Sequence, residues 1–193
     1  MSATAVHVIL SVAVCFSVLT GCVTELEPGQ EPLPPRPRPV PDQPTGLDAT
    51  RVQAFPSAYL RDTNGNTQGD TIEALVYLWS EPYPFPIHDR GTLTFELFRS
   101  GQAGNENARL ARWTFPPEAL KTREDRTHVG PCYYFRLSLF DAERFDEGRG
   151  DNLGVASADL LVAYSDAIES EDDQPRRLTT GVSTLQLDLP LTR

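Results

Sequence analysis

The sequence predicts an all-β domain, an antiparallel sandwich of about seven strands that follows an apolar leader and a proline-rich linker. Three observations carry this reading. From about residue 47 of the 193 residues, short segments rich in β-branched and aromatic residues alternate apolar with polar positions, as strands with one buried face do. Clusters of Gly, Asn, Asp and Pro separate those segments, each favouring a turn by its own backbone preference. Only Pro116-Pro117-Glu118-Ala119-Leu120 reads as a helix start, one or two turns long, with proline suited to the first helical position.

The first element is the apolar run Val8–Leu19, twelve residues of VILSVAVCFSVL. A membrane-spanning helix needs about twenty apolar residues, whereas the core of a signal peptide takes roughly 7–15. The run therefore reads as a leader, although no Lys or Arg precedes it and only the amino terminus and His7 offer a basic start. It closes on Leu19-Thr20-Gly21-Cys22, which resembles the lipobox of bacterial lipoproteins: an aliphatic residue, two small residues and a cysteine. The resemblance implies that residues 1–21 are a lipoprotein signal peptide, that the chain is cut before Cys22, and that Cys22 carries the lipid. Several acyl chains make such an anchor stable where one alone binds marginally. Val23, not Asp, follows the cysteine, so the resemblance implies a protein of the cell envelope, held at the outer membrane on its periplasmic or surface face.

Residues 22–46 read as the lipidated cysteine and a disordered linker. Pro28–Pro44 holds eight prolines in seventeen residues, which removes backbone donors, fixes φ and forbids helix or central strand. An extended polyproline-like spacer of about 3.1 Å per residue is expected.

Residues 47–193 are enough for one domain, burying roughly 70% of its unfolded surface. The strands are expected at TRVQAF near residue 52, TIEALVYLW, TLTFELF, RLARWTF, CYYFRLSLF, ADLLVAY and STLQLDL. In the second, Ile72, Ala74, Val76 and Leu78 share one face. In the third, Leu93, Phe95 and Leu97 oppose Thr94 and Glu96. Seven such strands with regular turns indicate a sandwich of immunoglobulin or transthyretin type. The succession GTLTFELFRSG, ARWTFPPEAL, YYFRLSL and LLVAYSD is also similar to a group of bacterial lipoproteins with one such sandwich, a resemblance that implies a fold and no activity. Trp79 and Trp113 are expected in the core or between the sheets.

The charge excludes some partners. With 17 basic against 27 acidic residues the net charge is -10, so a nucleic-acid backbone or an anionic membrane surface would be repelled. Of three cysteines, Cys15 falls in the leader and Cys22 takes the lipid, which leaves Cys132 unpaired. It reads as a small half-buried side chain.

Two stretches could hold calcium. In DTNGNTQGDTIE, the oxygen-bearing residues Asp62, Asn64, Asn66, Gln68, Asp70 and Glu73 fall at positions 1, 3, 5, 7, 9 and 12 of an EF-hand-like loop. Thr67 stands where the sharp turn wants Gly, and an Asn-Gly turn between strands explains the same letters. FDAERFDEGRGDNLG resembles the third calcium loop of C2 domains, which implies Asp141, Glu143 and Asp151 as ligands; an acidic hairpin between two strands explains the same letters. Catalytic constellations are thin: His88 and His128 lack metal-ligand spacing, and no nucleophile elbow or phosphate loop occurs. The expectation is a binding or structural envelope protein, no enzyme, whose partner is an envelope protein or a glycan. A calcium-dependent C2-like adhesion or membrane-binding module is the alternative, and a secreted hydrolase a third.

Overall fold

The computed structural model describes residues 39–145, 153–166 and 176–187. Its strands, in chain order, are β1 (Arg51–Pro56), β2 (Thr71–Trp79), β3 (Pro86–Ile87), β4 (Gly91–Arg99), β5 (Arg109–Phe115), β6 (Glu124–Arg126), β7 (Pro131–Ser138), β8 (Glu143–Arg144), β9 (Ser157–Asp166), β10 (Arg177–Thr179) and β11 (Ser183–Gln186). They form two antiparallel sheets. One runs β1-β2-β7-β6, with β3 paired to the end of β2; the other runs β10-β9-β4-β5-β8, with β11 sharing the outer edge of β9. The fold is an all-β sandwich, as the alternation predicts.

Each long strand sends one face inward because its side chains alternate. Ile72, Ala74, Val76 and Leu78 of β2 face Leu93, Phe95 and Leu97 of β4 across the core, all buried. Tyr133, Phe135 and Leu137 of β7 and Leu160, Val162 and Tyr164 of β9 complete it. At its centre the Phe135 ring lies 4.8 Å from both Phe95 and Phe115. Near the seam between the sheets, Trp113 Nε1 donates to the Ser138 carbonyl at 2.7 Å. Gly91 needs to be glycine: a Cβ there would sit 2.4 Å from the Ser165 carbonyl oxygen and 2.5 Å from the Tyr164 ring. The short helix α1 (Pro117–Lys121) has proline in its first turn and buries Leu120.

Three expectations are corrected. The strand count exceeds seven because β3, β6, β8 and β10 are two or three residues long, too short to show a period. Trp79 lies on the outer face of its sheet, half-buried, with the Arg51 guanidinium 5.1 Å over its ring and Tyr77 6.4 Å away; the alternation that buries Leu78 turns its neighbour outward. Cys132 is fully buried, and desolvation, with Asp125 adding to it, pushes its thiol up from the ordinary range.

The last residues of the proline-rich segment are fastened to the sandwich. Gln43 Nε2 donates to the His88 carbonyl at 2.7 Å, and the His88 amide donates back to Gln43 Oε1 at 2.7 Å. Arg126 Nη2 donates to the Val40 carbonyl at 2.6 Å. His88 is itself held by Nε2, 2.9 Å from the Cys132 carbonyl, and by its ring 5.0 Å from Tyr133. Residues from Val40 onward thus belong to the same compact unit as the sandwich.

Candidate functional site

The alternation of β4 points Glu96 away from the core, yet it is only 4% exposed. Arginines cover it. Arg109 Nη1 and Arg112 Nη2 donate to Oε1 at 2.9 and 2.8 Å, and Arg177 Nη2 reaches Oε2 at 3.3 Å. Arg112 is the cross-strand neighbour of Glu96, and Arg109 arrives through a register shift between Leu97 and Phe98. Arg109 also pairs with Glu106. The exposed Phe145 ring receives the guanidinium groups of Arg109 and Arg112 at 4.6 and 5.6 Å, a cation–π arrangement that holds both in place.

Arg112 connects this cluster to a groove of about 280 Å³. It is lined by Arg112, Trp113, Thr114 and Phe115 of β5, by Arg136 and Ser138 of β7, and by Arg123, Asp141 and Glu143. Arg112 lies 3.8 Å from Glu143, and Arg136 3.8 Å from Glu73. Arg123 differs. Its guanidinium stands 5.8 Å over the Phe115 ring and pairs with no carboxylate among the described residues. Arg112 and Arg136 are thus paired with carboxylates, and Arg123 is the guanidinium of the groove left to draw an anionic group out of solution.

The structure separates the first set of calcium candidates. Asp62 caps its own turn: Oδ1 accepts from the Asn64 and Gly65 amides at 3.2 and 2.6 Å, and Oδ2 from the Thr67 amide at 2.7 Å. Asn64 Oδ1 accepts from the Asn66 amide and Asn66 Oδ1 from the Gln68 amide, so successive short polar side chains replace secondary structure. Thr67 adopts the left-handed conformation, φ 72°, where glycine was expected. Asp70 is turned away and buried, accepting from the Thr63 amide and from the hydroxyls of Thr63 and Thr71. Glu73 pairs with Arg61 at 2.5 Å on the sheet surface. Of the second set, Asp141 and Glu143 line the groove, while Asp151 lies outside the described residues, as does Cys22. Among the described residues, no three His, Cys, Asp or Glu side chains are grouped to hold a metal ion.

Asp70 has a pH signature. Burial alone would raise its carboxyl; the hydrogen bonds from Thr63 and Thr71 outweigh this and hold it below its ordinary range. A carboxyl depressed by folding stabilises the protein above its unfolded value, and that contribution is lost as the pH falls through the folded one. The window lies below pH ~4. Urea unfolding at pH 7 and pH 3 should therefore show a smaller pH effect in Asp70→Ala than in the parent; an unchanged difference would remove Asp70 from the acid response.

Reading the sequence missed the arginines. Arg112 opposes Glu96, and Arg136 opposes Glu73, as direct cross-strand partners. The signal was present in TLTFELF with RLARWTF and in TIEALVY with YYFRLSL, where each glutamate strand has an arginine-bearing partner. It becomes legible once the register is known.

No protein-family model matches the chain, and no curated protein matches it. Among the described residues no helix is long and apolar enough to cross a membrane.

Proposed function

We propose that this is a lipid-anchored protein of the bacterial envelope, tethered through Cys22 at the outer membrane, whose β-sandwich is a binding module for an envelope protein or glycan. The single observation that carries it is Leu19-Thr20-Gly21-Cys22 at the close of a twelve-residue apolar run. The proline-rich segment behind it and a strand-rich domain with an arginine-lined groove support the same reading: anchor, spacer, binding surface. Within it, the sandwich belongs with modules of immunoglobulin or transthyretin type.

Radiolabelled palmitate fed to cells expressing the full chain should be incorporated, and Cys22→Ala should abolish the label. Label retained in Cys22→Ala, or absent from the parent, would sink the anchor.

A further inference from the structure

The groove carries more than net charge. The Arg123 guanidinium lies over Phe115, 5.8 Å from the ring centroid and within cation–π range, and its side chain makes no hydrogen bond or ion pair with the described residues. A guanidinium engaged by a ring through cation–π attraction keeps its planar fork of donors free, and that fork matches a carboxylate. Asp141 is exposed in the same groove and accepts no side-chain hydrogen bond from the described residues. Thr114 and Ser138 add hydroxyls, the latter with Oγ accepting only the Phe140 amide at 3.2 Å, so its own proton remains available. The lining thus offers one free cationic fork beside one free anionic acceptor and two hydroxyls.

We infer that the groove binds a carboxylate-bearing glycan, with the sugar acid on Arg123 and its hydroxyls on Asp141 and Ser138. This rests on the reading of the domain as an envelope binding module and narrows its partner to an acidic sugar. Two features favour that class. Asp141 and Glu143 repel a densely anionic ligand such as a polyphosphate or a highly sulfated chain, but tolerate one carboxylate per unit. A polyol also needs both donors and acceptors at short range, which the lining provides. The volume of about 280 Å³ lies near the lower end of ligand pockets, which suits single sugar units of a chain.

Calorimetry on the full chain in detergent tests it, with trigalacturonate, its methyl ester and N-acetyl-alanyl-alanine as probes. Trigalacturonate should bind. The ester and the Arg123→Gln variant should bind about tenfold more weakly or worse, the loss of one charge-assisted pair, with the melting temperature of the variant unchanged. Asp141→Asn should also weaken binding, although it makes the groove more positive; tighter binding there would mean bare anion attraction and overturn the proposal. No binding, equal binding of the ester, or stronger binding of the dipeptide would overturn it too, the last in favour of a peptide carboxyl terminus. If Arg123→Gln does not fold, Asp141→Asn on the exposed rim decides. Cys22→Ala should bind trigalacturonate as the parent does, so failure of the anchor and failure of the glycan site give different results.

Discussion

Glu96→Gln should lower the free energy of unfolding by about 3–5 kcal/mol, the cost of leaving a buried charge without its partner. The Glu96 side chain is 5% exposed and that of Arg109 7%, so neither reaches bulk water when the other is neutralised. Arg112 and Arg177, at 30% and 58%, can turn outward and would lose little. Arg109 cannot: it is fixed between Glu96 and the Phe145 ring, and its Nε is buried without a partner. Glu106 remains beside it, but at 69% exposure its attraction is screened by water. Glu106→Gln should accordingly cost less than about 1 kcal/mol. Replacing Glu96 and Arg109 together by leucine should recover much of the loss, because it removes both desolvation penalties. Urea unfolding of the four proteins separates these effects. A loss below about 1 kcal/mol in Glu96→Gln would show that the charge of Arg109 is matched without it.

The long strands were legible because burial writes a period of two into them. Ile72 to Leu78 and Leu93 to Leu97 announce their inner faces, and the structure places those residues where the alternation puts them. Glu96 shows what the same signal hides. The alternation places it outward, and it is nonetheless buried because three arginines from β5 and β10 converge on it. That convergence depends on strand order, and β10 lies two strands away from β4 in its sheet. No local pattern contains that information. Trp79 fails for a related reason, since aromatic size suggested the core while parity placed it outside. Parity was the better guide. The loop from Asp62 to Asp70 is open to two readings in the sequence: alternating oxygens suit a cation and suit a chain of capped turns equally well. Only the direction of Asp70 and Glu73, each already bonded elsewhere, distinguishes the two arrangements.

Phe135→Ala should cost about 3–5 kcal/mol, as large aromatic truncations in close-packed cores do. The ring is fully buried and is the shared neighbour of Phe95 and Phe115, each 4.8 Å away, so the deletion breaks two aromatic contacts across the sandwich as well as removing apolar area. Phe95 and Phe115 are themselves packed edge-to-face at 5.8 Å, and the paired strands β4 and β5 hold them, which limits collapse into the space. Phe135→Leu refills part of it and should lose clearly less. Denaturant midpoints should fall in that order with the slope unchanged, since the same surface is exposed on unfolding; equal losses for Ala and Leu would mean that the neighbours close around either side chain. The effect should also reach the groove. Phe115 rests on Phe135 from within and carries Arg123 on its outer side, so a cavity behind the ring loosens the platform that aims the guanidinium. Phe135→Ala should therefore weaken trigalacturonate binding at temperatures where the protein is still folded, and Phe135→Leu should weaken it less.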